Sequence, residues 1–334
     1  MVGYYQIKKV ENNQKEKYNM TALLAIGECM MELTAKDEQS YNRSFAGDTY
    51  NALVYAKRNI PKLEALIFTA IGNDDISKTM VDHWKEEGVC DSFTLKSNDA
   101  TIGIYAISTD LQGERSFSYW RKNSAATQMM TIKPVSELIA SCPEITCAFF
   151  SGISLAVLSD DNKGLLIEFI QGLKGRGVKI AFDPNYRPAM WDNKEHAIYW
   201  LEQAYKVSDI VLPGEEDHQA LFNHEDHVAI AKYCHSFKVK EVVIKCGENG
   251  TFVYSDEALV VHLPFKAAPI QVDSTAAGDS FAGTYLAQRI TEHDIDTSLK
   301  QAAAVAGQVV QHRGAILSTE QYDKIFNDQE LTTK

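Results

Sequence analysis

The chain has 334 residues, 45% of them hydrophobic and 23% charged, and a formal net charge of -12. That length accommodates one large domain or two around a sizeable core, with the composition of an ordinary globular protein. The acidic balance argues against nucleic acid as the main partner, which needs a basic surface, and leaves any anionic substrate to be held by local Arg and Lys against the overall field.

Residues 1–20 are polar, carry no apolar signal region and read as an N-terminal extension, so the protein is expected in the cytoplasm. From Ala22 onward, short apolar runs alternate with longer amphipathic ones. Ala22–Gly27, Leu66–Gly72, Cys147–Ser151, Val178–Asp183, Asp209–Leu212 and Glu241–Cys246 suit strands buried on both faces of a parallel sheet. Asp160–Lys174, Lys194–Lys206 and His227–Phe237 read as helices covering it. The rhythm predicts an α/β domain over residues 21–320.

Two segments break that rhythm, Met31–Phe45 and Asp99–Arg121. The second reads as a hairpin, with strands Thr101–Ser108 and Arg115–Trp120 joined by a polar, Gly-containing turn at 109–114. Residues of about 31–45 and 99–121 are therefore expected to form a small β element over the site. Helices are expected at Phe281–Ile290 and Thr297–His312, and residues 321–334 read as a polar tail. No apolar run approaches membrane-spanning length, so no membrane partner is expected. The six cysteines show no CxxC pair or metal-ligand spacing and read as reduced thiols.

The run Val272-Asp273-Ser274-Thr275-Ala276-Ala277-Gly278-Asp279-Ser280-Phe281-Ala282-Gly283 carries the most chemistry. Small residues before a helix let backbone N–H groups and the positive helix end approach an anion. An acid beside them, Asp279, can accept a proton from an attacking hydroxyl. Spacing alone allows Asp279 to be no more than a favourable first-turn residue. Gly47, Asp48 and Asn51 open another helix with polar groups at its start. Tyr119 and Arg121 share a strand face, with Tyr105 on the paired strand. Asp183, Asn185 and Arg187 lie on a Pro-bounded loop at a strand's carboxyl end. Lys245, Gly247 and Gly250 mark a strand running into a tight turn.

The stretch Asp273-Ser274-Thr275-Ala276-Ala277-Gly278-Asp279-Ser280-Phe281 resembles the C-terminal signature of the ribokinase-like (PfkB) carbohydrate kinases, and Gly47-Asp48-x-x-Asn51 resembles their N-terminal one. The resemblance implies a ribokinase-like α/β fold: a mostly parallel central sheet, helices on both faces and a small β lid. It implies Asp279 as catalytic base, Ala276, Ala277 and Gly278 as anion hole, and Gly47, Asp48 and Asn51 on sugar hydroxyls. Lys245, Gly247, Gly250, Thr275, Ala277 and Gly278 would then border ATP. Where the family usually has Asn-x-x-Glu near Mg²⁺, this chain has Gly214 and Asp217, which makes Asp217 an indirect Mg²⁺ position. Asp273 is the candidate position for a monovalent cation such as K⁺.

Further motifs, among them Tyr119-Trp120-Arg121 and Asp183-Pro184-Asn185-Tyr186-Arg187-Pro188, resemble the branch of the family that acts on a keto-deoxy sugar acid. That implies Tyr105, Tyr119, Arg121 and Arg187 as substrate contacts, the arginines answering a carboxylate that neutral sugars lack. The expected partners are a small sugar acid, ATP and further copies of the chain in a homo-oligomer. Fructose, ribose or an epimeric keto-deoxy acid are the alternative substrates.

Overall fold

The computed structural model describes residues 21–37, 39–109 and 115–326. The expected extension at 1–20, the hairpin turn at 110–114 and the tail beyond 326 lie outside the described residues. In chain order the strands are β1 (Ala22–Ile26), β2 (Met30–Ala35), β3 (Tyr41–Ala46), β4 (Glu64–Phe68), β5 (Ala70–Ile71), β6 (Val89–Cys90), β7 (Leu95–Lys96) and β8 (Ile104–Thr109). They continue as β9 (Arg115–Trp120), β10 (Cys147–Ser151), β11 (Lys179–Asp183), β12 (Ile210–Val211), β13 (Glu241–Lys245), β14 (Thr251–Ser255) and β15 (Ala258–Leu263).

Nine strands form one sheet in the order β15-β14-β13-β12-β11-β10-β1-β4-β6. Seven of them run parallel, and β14 and β15 close one edge antiparallel. The apolar runs read from the sequence became the parallel strands because both of their faces are buried. Along β1, Leu24 and Ile26 point into a core shared with the helix Asp160–Gly175, while Leu23 and Ala25 point into a second core shared with the helices Asp48–Asn59 and Ala277–Ile290. A strand with water on either face would alternate apolar with polar residues instead.

The helices Asp48–Asn59 and Ala277–Ile290 carry the two signature motifs and pack closely. A Cβ on Gly283 would lie 1.8 Å from the Ala52 carbonyl oxygen, so glycine is required for that approach. The second helix starts at Ala277, four residues before the expected Phe281. Its entry is set by Ala276, held at φ 60°, a left-handed conformation that costs a non-glycine residue about 1 kcal/mol. Asp279 therefore sits inside the first helical turn.

Both irregular segments enter a separate four-stranded sheet, β3-β2-β8-β9. Its register puts Glu32 opposite both Ser44 and Tyr105, and Tyr105 opposite Tyr119, so these side chains share one face. Residues 321–326, expected as the start of a polar tail, instead belong to the helix Thr319–Phe326. Tyr322 anchors it in a cluster with Tyr55, Val305, Val309 and Leu317, and buried apolar area outweighs the polar character of the segment.

Candidate active site

The carboxyl ends of the parallel strands and the four-stranded sheet enclose a cavity of about 1460 Å³. An open α/β sheet places its ligand crevice at this end. Of the residues singled out from the sequence, Gly47, Asp48, Asn51, Tyr105, Tyr119, Arg121, Arg187, Asp217, Lys245, Gly247, Thr275, Ala276, Gly278 and Asp279 line it. They come from segments more than 200 residues apart in the chain.

Asn51 joins the two signature motifs. Its Nδ2 donates to Asp279 Oδ2 at 2.9 Å, and its Oδ1 accepts the Gly47 N–H at 3.3 Å. Asp48 Oδ2 accepts from Asn185 Nδ2 at 3.0 Å. These two aspartates have amide partners rather than cations. Burial, followed by the neighbouring Asp48 charge, lifts the Asp279 carboxyl to about 7, against the Asn51 hydrogen bond. Burial also raises Asp48, opposed by hydrogen bonds from Ser151, the Thr49 N–H and Asn185. A carboxyl poised near neutrality suits a general base.

Beside Asp279 the helix start has no side-chain cap. The Ala277 N–H turns to the Ser274 carbonyl at 3.2 Å, and the first in-helix bond is Ser280 N–H to Ala276 O at 2.8 Å. The Gly278 and Asp279 N–H groups are first-turn donors without an intrahelical acceptor, as helix geometry dictates. Lys245 stands next to them: a Cβ on Gly278 would lie 4.0 Å from its Nζ. The same ammonium pairs with Asp183 Oδ2 at 2.7 Å. An uncapped helix end beside an ammonium can receive an anion.

Three of the expected site residues are not among those that line the cavity. Ala277 is one of them; it opens the helix, and its N–H is directed to the Ser274 carbonyl. Gly250 is another. It holds φ 86° in a turn where a Cβ would meet the Leu263 carbonyl at 2.2 Å, so its role is in chain reversal. Asp273 is buried beside the lining residues Ser274 and Thr275, accepting the Thr275 N–H at 2.9 Å and the Gly314 N–H at 2.8 Å. Asp217 does reach the cavity, accepting the Tyr186 N–H at 3.0 Å, and burial raises its carboxyl.

The lid-side wall is built differently. Arg121 follows β9 and pairs with Glu28, Nε to Oε2 at 2.8 Å and Nη2 to Oε2 at 2.5 Å. Ser124 donates its hydroxyl to Glu28 Oε1. Tyr105 stacks on Tyr119 with centroids 5.8 Å apart and donates its hydroxyl to the buried Glu32. Arg187 is exposed, donates to the Tyr186 carbonyl at 3.2 Å and has no ion pair among the described residues. From the sequence, the strand end Ala25–Met30 that carries Glu28 points at the site, but neither Glu28 nor Lys122 is given a role there. Glu28 was detectable as a carboxylate at a parallel strand's carboxyl end, whereas nothing local marks Lys122.

A doubly covered α/β sheet, a cavity at its carboxyl edge, and an aspartate beside an uncapped helix start define a small-molecule phosphotransferase. Residues 20–321 match the pfkB family of carbohydrate kinases. The chain belongs to that family and is a sugar kinase. It is 34% identical over 302 residues to the 2-dehydro-3-deoxygluconokinase of Haemophilus influenzae, covering 89% of this chain and 96% of that protein. Among solved structures, the 2-dehydro-3-deoxygluconokinase of Thermotoga maritima superposes with a TM-score of 0.77 at 20% identity, covering 91% of this chain and 98% of that one. An Escherichia coli chain solved with ATP and Mg²⁺ superposes with a TM-score of 0.77 at 24% identity, covering 92% and 99%. At those identities the structures speak for the fold.

Proposed function

We propose that this chain transfers the γ-phosphoryl group of ATP to the 6-hydroxyl of 2-dehydro-3-deoxy-D-gluconate, giving the 6-phosphate. The observation that carries the substrate is the presence of two guanidinium groups, Arg121 and Arg187, in the cavity that holds Asp279. A keto acid offers them a carboxylate, for which the planar guanidinium fork is the matched donor. The resemblance along most of the chain to a 2-dehydro-3-deoxygluconokinase supports the same reading.

In this reading Asp279 orients the 6-hydroxyl and accepts its proton as the oxygen attacks the γ-phosphorus. The Gly278 and Asp279 N–H groups and the Lys245 ammonium stabilise charge on the transferred group. Gly47, Asp48 and Asn51 hold the sugar hydroxyls, and Gly247 and Thr275 border the nucleotide. Mg²⁺ supplies neutralisation of the ATP oxygens. The carboxylate oxygens of Asp217 and its neighbours Glu215 and Glu216 fit a hard, largely hydrated cation held at one remove. K⁺ near Asp273 belongs to the same proposal, and an unchanged rate on replacing K⁺ by Na⁺ removes it.

The reading extends to a cytoplasmic homo-oligomer whose partners are the sugar acid and ATP rather than nucleic acid or membrane. The six cysteines are free thiols, and Trp120 is 61% exposed on the strand face opposite Tyr119, available to a neighbouring copy. Among the described residues no helix is long and apolar enough to cross a membrane.

The test is ADP release with Mg-ATP and, in parallel, 2-dehydro-3-deoxygluconate, fructose, ribose and gluconate. Turnover confined to the keto-deoxy acid is expected. Turnover only with fructose or ribose retains the kinase and overturns the substrate.

A further inference from the structure

Arg121 and Arg187 differ in what surrounds them, and the difference centres on Glu28. The Glu28 side chain is 1% exposed, at the end of β1, the strand that sits between β10 and β4 in the central sheet. Oε2 takes both the Nε and Nη2 donors of Arg121, and Oε1 takes the Ser124 hydroxyl. Two donors of one guanidinium edge on a fixed carboxylate leave Arg121 little freedom to roll, so Nη1 keeps one orientation. The lid strand is shaped to admit this carboxylate. A Cβ on Gly103 would stand 2.6 Å from Glu28 Oε1 and 3.1 Å from Arg121 Cβ. Glu28 itself also lines the cavity. Arg187, by contrast, is exposed, hydrogen-bonds a carbonyl and faces the Asp217 carboxylate without an ion pair among the described residues.

We infer that Glu28 is a positioning residue for recognition of the sugar acid: it holds Arg121 from the core sheet so that the remaining guanidinium edge meets the substrate in a preset direction. The inference rests on the keto-acid reading above, and acts through Arg121 alone. Arg121 then contributes directed hydrogen bonding from a charge-compensated pair, and Arg187 contributes a guanidinium that has no ion pair among the described residues. Preset orientation lowers the ordering cost of binding, so its loss falls on KM.

A double-variant cycle tests it, using Glu28→Gln, Arg121→Gln and the pair together, with KM for the keto acid, kcat, KM for ATP and Tm measured on each. Glu28→Gln keeps shape and loses the charge-assisted bonds. KM for the keto acid is expected to rise about tenfold, with kcat and the KM for ATP within about twofold. Arg121→Gln leaves a buried carboxylate unpaired and is expected to lower Tm as well as raise KM. In the pair, Tm is expected to recover while KM stays where Arg121→Gln alone puts it.

A structural ion pair without a recognition role gives the opposite pattern, with KM recovering alongside Tm, and that outcome overturns the inference. So does Glu28→Gln with an unchanged KM, or effects of the two substitutions on KM that simply add. Gly103→Ala, which changes no charge but crowds the Glu28 carboxylate, is expected to move KM in the same direction, and an unchanged KM in a folded Gly103→Ala protein also counts against it. If the wild-type protein turns over only a neutral sugar, the substrate reading fails separately. The cycle run on that sugar then still decides whether Glu28 acts through Arg121.

Discussion

Two pairs of carboxylates at and beside the cavity, Glu28 with Glu32 and Asp48 with Asp279, are handled in opposite ways. On the lid side, Glu28 is paired with a guanidinium and Glu32 accepts three hydroxyls, from Tyr105, Ser44 and Thr34. At the edge of the central sheet, Asp48 and Asp279 face each other's charge with amide donors, and both are pushed up in pKa. A carboxylate locked to a cation or to hydroxyl donors holds geometry. One crowded by another acid and starved of water gains and loses a proton near neutral pH. In the proposed reaction the lid-side pair would serve recognition and the Asp48–Asp279 pair proton transfer.

The most severe way to break that contrast is to remove the titrating group. Asp279→Asn is expected to lower kcat by about 10²–10⁴, the usual worth of a positioned general base, with the KM for the sugar acid little changed. ADP-release kinetics check it, and a near-normal kcat would place the proton acceptor elsewhere. Next comes the recognition wall. Arg187→Gln is expected to reduce kcat/KM for the keto acid by about 10²-fold, through KM, since it removes a charge-assisted partner that no ion pair holds among the described residues. A loss concentrated in kcat would move Arg187 across to the catalytic wall.

A finer probe works on the proton itself. Asn51 donates to Asp279 and stabilises its ionised form, so Asn51→Ala is expected to raise the Asp279 carboxyl further above its position near 7. The acid limb of the kcat/KM profile should shift to higher pH by roughly one unit, the scale of one hydrogen bond to a charged group. A limb that stays put would mean that it reports another group. The lid-side pair offers the control, since Glu28→Gln should leave that limb where it is.

The contrast also explains what was legible in the sequence. The buried strands announced themselves by unbroken apolar runs, because β1, β10, β11 and β13 are covered on both faces. That Asp279 and its small neighbours would meet a cavity was legible because close approach of a backbone to a ligand demands small residues at one place, Ala276-Ala277-Gly278, beside the acid. The division among those residues was not legible. Whether Ala277 or Asp279 leaves its N–H open depends on where the helix starts, and that was set by a left-handed Ala276 that no local propensity favours. Tyr322 escaped notice because its helix is short and mostly polar, and its partners Tyr55 and Val305 come from remote parts of the chain. The Glu28–Arg121 pair spans 93 residues and forms only when the lid sheet meets β1, so nothing in either segment signals the other.

The smallest expected effect concerns stability, and it follows from the same raised carboxyl. Asp279 titrates near 7 in the folded chain and near the ordinary 3.8 when unfolded. Between those values the folded state binds the proton more tightly, so rising pH draws stability away from the native protein. The loss begins near pH 4 and is complete above about 7. Asp279→Asn removes that titration while keeping an oxygen to accept from Asn51. The variant should therefore melt higher than the parent at pH 8, on the order of 2–4 °C, and the advantage should shrink to nothing as the pH falls towards 4. Glu28→Gln should show no such gain at pH 8, because its carboxylate is paired rather than crowded. Thermal melts across pH 4–8 separate the cases. A variant at Asp279 that is no more stable than the parent at pH 8 would mean that the sheet-edge carboxylates are as well compensated as those under the lid, and the distinction between the two walls would fall with it.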